Sequence, residues 1–111
     1  MQTTPYQLIY YTDAAGEKPF RKWLYGLRDR AVFARISTRI ERVELGNLGD
    51  HESVGNGVME LRIHYGSGYR VYYAFAGKQI VLLLIGGDKS TQKKDILTAL
   101  SYWKDHQEKI K

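Results

Sequence analysis

Residues 58–75 read VMELRIHYGSGYRVYYAF. Val58 to Tyr65 alternates: Met59, Leu61 and Ile63 on one side, Glu60, Arg62 and His64 on the other. That two-residue period marks a strand with one covered face. Gly66-Ser67-Gly68 is a turn, and Tyr69 to Phe75 is the return strand. If Tyr65 pairs with Tyr69, His64 lies opposite Arg70, Arg62 opposite Tyr72 and Glu60 opposite Ala74. Side chains opposite each other share a face. Glu60, Arg62, His64, Arg70 and Tyr72 then gather on one face, while Met59, Leu61, Ile63, Val71 and Tyr73 go to the core. A one-residue slip in the turn would exchange the two sets.

Reading outward, Ala76-Gly77-Lys78 is the next turn, and Ile80 to Ile85 is six apolar residues in a row. Such a run suits a central strand covered on both faces. Gly86-Gly87 then releases the chain, and a helix is expected from about Thr91 to Gln107. Upstream, Tyr6 to Tyr11 is a strand candidate. Lys18 to Tyr25 is a short helix with Pro19 at its first position and Gly26 past its end. Asp29 caps a longer helix, in which Val32, Ile36, Ile40 and Val43 recur at helical spacing. Gly46 ends that helix, and residues 47–57, with Gly49, Gly55 and Gly57, read as a loop. The order is β-α-α-β-β-β-α. It implies an α+β domain: a small antiparallel sheet with two N-terminal helices and one C-terminal helix.

A chain of 111 residues is enough for one domain, here 1–111, and leaves little room for a second. Cysteine is absent, which excludes a disulfide framework, a thiolate metal site and a cysteine nucleophile. No apolar run approaches the roughly 18 residues of a membrane span, and the stretch MQTTPYQLIYYTD lacks a signal-type core. A cytoplasmic protein is expected. The net charge is +5, and residues 18–42 alone carry eight basic and two acidic side chains. Excess positive charge favours polyanions, nucleic acid above all, but it also fits an ordinary basic protein.

The hairpin set points further. Two guanidiniums, an imidazole, a carboxylate and a phenol on two strands suit phosphodiester cleavage in RNA. That reaction needs a base for the 2′-OH, cations for the phosphate and an acid for the leaving 5′-oxygen. Arg62 and Arg70 can grip a phosphate bidentately. His64 can act as acid or base, and Glu60 as a base or as the group that orients Arg62. Tyr72 can donate a hydrogen bond or stack on a base. Lys89, just past Gly86-Gly87, can reach the same place. Lys93-Lys94, Arg39 and Arg42 read as solvated helix faces that can also touch phosphates, with Arg39 and Lys93 the RNA-contact candidates. His51, His64 and His106 show no metal-ligand spacing. Gly87-Asp88-Lys89-Ser90 lacks the full phosphate-loop pattern, so no metal or cofactor is expected.

Three blocks then carry a resemblance: Met59-Glu60-Leu61-Arg62-Ile63, Gly68-Tyr69-Arg70-Val71-Tyr72-Tyr73 and Leu82-Leu83-Leu84-Ile85-Gly86-Gly87-Asp88-Lys89. Nearly the whole chain resembles the RelE/HigB superfamily of bacterial toxins, most closely the branch of phage-derived addiction-module killer proteins. The resemblance implies a fold similar to the microbial ribonucleases. It implies a type II toxin that cuts mRNA on translating ribosomes without a metal and inhibits translation. The partners implied are mRNA, the ribosome and a cognate antitoxin of helix-turn-helix DNA-binding type. By this resemblance Arg70, Arg62 and Lys89 match the basic residues that hold the scissile phosphate. The catalytic tyrosine that some members carry in the last helix has no match, since Asp95 sits near that position and Tyr102 lies two turns later. His64 and Glu60 are the local candidates for its role. Relatives of the same fold that bind DNA gyrase and cleave nothing give a second functional class, and a homologue without activity a third.

Overall fold

The computed structural model describes residues 5–110. Residues 1–4, the start of the N-terminal stretch read above, and Lys111 lie outside it. Among the described residues, five strands and three α-helices follow in the order β1 (Gln7–Tyr10), α1 (Pro19–Tyr25), α2 (Arg30–Glu44), β2 (His51–Gly55), β3 (Val58–Ile63), β4 (Tyr69–Gly77), β5 (Ile80–Asp88) and α3 (Gln92–Lys109). A single 3-10 turn, Lys89–Thr91, joins β5 to α3. The strands form one sheet in the order β1-β5-β4-β3-β2.

The architecture is α+β, and the sheet differs from expectation in two ways. It is mixed, because β1 pairs parallel to β5 while the other neighbours are antiparallel. It also has an edge strand, β2, inside the segment read as a loop. In His51–Gly55 only Val54 is apolar, so no alternation was visible there. The signal was the dipeptide Asn56-Gly57. Both residues have positive φ, +52° and +92°, as a tight two-residue hairpin turn demands.

The β3–β4 register is offset by two from the one expected. Arg62 lies opposite Arg70, Glu60 opposite Tyr72 and Val58 opposite Ala74. The connection is longer than a three-residue turn: pairing stops at Ile63 and Tyr69, and the Tyr65 carbonyl accepts from Gly68. An even offset leaves every side chain on its predicted face. It does remove His64 from the ladder, so His64 does not face Arg70. Strand β5 also continues through Gly86 and Gly87 to Asp88.

Both faces of the sheet are covered. On one, Phe20 and Leu24 from α1 and Val32, Ile36, Ile40 and Val43 from α2 pack on Leu61, Ile63, Val71, Tyr73, Val81 and Leu83. Each such buried side chain contributes roughly 1.5–3 kcal/mol. Asp29 caps α2, accepting from the Ala31 and Val32 amides. On the other face, Ala99 and Trp103 of α3 cover Val58, Tyr72, Ala74, Leu82 and Leu84. Gly86 and Gly87 permit the closeness. A Cβ on Gly86 would lie 2.2 Å from the Trp23 ring, and one on Gly87 would lie 1.8 Å from Asp95 Oδ2. Helix α3 leaves the Arg62–Arg70 end of its face uncovered, and the functional candidates collect there.

Candidate functional site

Glu60 is the hub. It is fully buried. Its Oε1 accepts from Arg62 Nε at 3.0 Å, and its Oε2 accepts from Tyr72 Oη at 2.9 Å and Gln92 Nε2 at 2.8 Å. Arg70 Nε lies 3.6 Å from the same oxygen. Two guanidiniums directly opposite in a ladder repel each other, and the Glu60 carboxylate between them relieves that repulsion. Burial alone would raise the Glu60 pKa. The bonds from Gln92, Tyr72 and Arg62 and the charge of Arg70 outweigh it and hold the carboxyl below its ordinary range. Burial, then the bond to Glu60, pushes the Tyr72 phenol well above its ordinary value.

Above this hub is an open groove of about 510 Å³, lined among others by Arg62, His64, Ser67, Arg70 and Lys89. The Arg70 side chain is 14% exposed, and its Nη1 donates to the Gly68 carbonyl at 2.7 Å. Arg62 is ringed by acids: besides Glu60 it pairs with Glu52 and lies 3.9 Å from Asp50. His64 is 75% exposed, and its Nε2 sits 2.5 Å from Asp50 Oδ2. That bond, ahead of the Arg62 charge, lowers the Asp50 pKa. Lys89 is exposed and has no ion pair among the described residues. It stands beside Arg70 because Gly87 pairs with Arg70, and Lys89 follows two residues later at the start of the 3-10 turn.

Four of the five residues singled out for chemistry therefore line one groove, with Glu60 directly beneath them. The residues singled out for RNA contact are more scattered. Tyr72 is fully buried, so no face of its ring is free to stack on a base. Lys93 is exposed on α3 and lines neither this groove nor the larger one beside α2. Arg39 lines the larger one, and its Nη2 donates to the Leu48 carbonyl at 2.5 Å. Gln92 and Asp50 were missed. Nothing local marks Gln92, whose partner is 32 positions away. For Asp50 the signal was the stretch 43–53, which carries a net −3 in a chain of net +5. Among the described residues no three His, Asp or Glu side chains are grouped to hold a metal ion. No helix among them is long and apolar enough to cross a membrane.

Residues 22–104 match the model of the family described as Phage derived protein Gp49-like (DUF891). The chain belongs to the Gp49-like family. An uncharacterized protein of Haemophilus influenzae is 50% identical over 80 residues, covering 72% of this chain and 81% of that protein. The Gp49-like match runs from within α1 to within α3. It takes in Glu60, Arg62, His64, Arg70, Lys89 and Gln92, and leaves only β1 among the strands outside. In this Gp49-like chain the groove offers cations for an anion, an exposed imidazole paired with a carboxylate, and a buried carboxylate that fixes two guanidiniums. Such an array can bind a phosphate, orient it and move a proton beside it.

Proposed function

We propose that this Gp49-like protein is the toxin of a type II toxin–antitoxin module, similar to RelE/HigB toxins, and that it cleaves mRNA on translating ribosomes. The observation that carries this reading is the convergence of Arg62, Arg70, Lys89 and His64 on one groove over a buried carboxylate. The scissile phosphate sits against Arg70 and Lys89. The 2′-oxygen attacks phosphorus as its proton passes to a base. The bond from phosphorus to the 5′-oxygen breaks, that oxygen takes up a proton, and a 2′,3′-cyclic phosphate and a 5′-hydroxyl result. Negative charge grows on the phosphate oxygens during attack, where fixed guanidiniums stabilise it. His64, exposed and held by Asp50, is the proton carrier. Glu60 is a positioning residue, since its oxygens are enclosed and already accept from Arg62, Tyr72 and Gln92.

A cognate antitoxin of helix-turn-helix type holds the toxin inactive, and the site of action is the cytoplasm. The test is induced expression without antitoxin, with the 5′ ends of cellular mRNA mapped. Growth arrest with new internal 5′ ends supports the reading. Arrest without new ends, accompanied by falling DNA supercoiling, supports a gyrase-binding toxin instead. Unimpeded growth at high levels of folded protein overturns both.

A further inference from the structure

A second groove, of about 790 Å³, runs beside the first and shares Arg62, Ile63, His64 and Tyr65 with it. Its long wall is α2. Ala31, Ala34, Arg35, Thr38, Arg39 and Arg42 recur at alternating steps of three and one and make one continuous helix face. This face adjoins the buried stripe of Val32, Ile36, Ile40 and Val43. It spans about 16 Å from Ala31 to Arg42 at the rise of an α-helix. The small side chains between the arginines let an extended chain come close to the helix.

The charge in this groove is strongly one-sided. Arg35, Arg39, Arg42, Arg62 and His64 line it, with Asp50 the one carboxylate in the lining; Asp50 is engaged by His64 and Arg62, and Arg62 is also paired with Glu52 and Glu60, so the surplus charge is that of the α2 arginines. Arg35 and Arg42 are exposed and have no acidic partner among the described residues. Arg35 lies over the Tyr65 ring, 4.5 Å from its centroid, so a flat cation and an aromatic stand together at the junction of the grooves. Arg39 is built in: a Cβ on Gly49 would lie 1.9 Å from Arg39 Nη2, so glycine there makes room for the guanidinium. Burial, then the neighbouring Arg42 charge, pushes Arg39 below the usual guanidinium range.

Resting on the endoribonuclease reading above, we infer that the α2 groove holds the single-stranded RNA that flanks the scissile phosphate, by its backbone and without regard to sequence. Three features favour RNA over an acidic protein segment. The groove is continuous with the phosphate site, it presents arginine stacked on a half-buried aromatic, Tyr65, and no large apolar side chain on α2 lines it. Arg35 and Arg42 contact phosphates, and Tyr65 with Arg35 offers a surface for a base.

Binding of a 2′-O-methyl oligouridylate tests this, because that probe has no 2′-OH to attack and survives an active enzyme. Affinity is measured against salt for the wild type and the Arg35→Ala/Arg42→Ala variant. Each phosphate contact to a single strand adds about 0.7 to the slope of log K against log salt, so the variant should bind more weakly with a slope smaller by about 1.4. The Arg35→Lys/Arg42→Lys variant keeps the charge and should recover the slope. Alanine favours helix, so α2 should persist, and thermal unfolding checks it. Equal affinity and slope for wild type and alanine variant would overturn the inference. So would a polyglutamate peptide that depends on Arg35 and Arg42 when the oligouridylate does not, since the groove would then serve an acidic protein. A slope shift as expected, with no new mRNA 5′ ends in cells, would leave the groove standing and refute the cleavage reading instead.

Discussion

Glu60 is a buried charge kept ionised by four neighbours, and removing a partner from such a group costs more than the group contributes in place. Glu60→Gln keeps the shape but leaves Arg62 and Arg70 facing each other without their shared counter-charge. Stability should fall by roughly 3–5 kcal/mol, read by denaturant unfolding. Because the Glu60 pKa is lower folded than unfolded, its stabilisation is complete above the ordinary carboxylate range and disappears as pH falls through the lower, folded value. The wild type should therefore lose stability on the acid side of that range, and Glu60→Gln should show a flatter acid limb. Arg70→Ala leaves Glu60 short of one neighbour. It should cost about 1–3 kcal/mol besides lowering cleavage by about 10²–10³. Lys89→Ala separates the two effects. Exposed and without an ion pair, Lys89 should leave stability within about 0.5 kcal/mol while cleavage still falls.

At the scale of elements, the glycine pair of β5 sets how closely α1 and α3 approach the sheet. Gly86→Ala drives a methyl into the Trp23 ring and should cost about 1–3 kcal/mol, or more if α1 cannot shift. A lowered thermal midpoint with an unchanged far-UV spectrum would report it. These glycines were legible as a break and not as a packing device, because what a glycine lets in comes from elsewhere in the chain. The elements built on strong periodicity, α2 and the β3–β4 hairpin, were readable because burial enforces their pattern. Strand β2 was not, since an edge strand with both faces largely solvated needs no alternation. The hairpin's face assignment survived a wrong register because the offset was even. Its consequence for His64 was lost, since the turn, not the pattern, decides where the ladder ends. Buried Glu60 was visible as a polar residue in a strand. Its depth was not, because Gln92 and α3 enclose it from far along the sequence.

At the scale of the molecule, the net charge of +5 is less informative than its placement. The arginines of α2 and the cations at the open end of the sheet border two adjoining grooves, and α3 covers the remainder of that sheet face. On the proposed function, a polyanion that meets the protein along this trough would bring one phosphate to Arg70 and Lys89 with His64 beside it. Association along such a surface should slow and weaken as salt rises. The proposed function stands or falls on whether this groove cuts RNA. The most direct measurement is transcriptome-wide mapping of mRNA 5′ ends after induction of the wild type and of Lys89→Ala at matched levels of folded protein. Abundant new internal ends are expected within translated regions for the wild type, and strongly reduced cleavage and growth arrest for Lys89→Ala. Equal cleavage by the two proteins, or growth arrest by the wild type with no new ends, would contradict it.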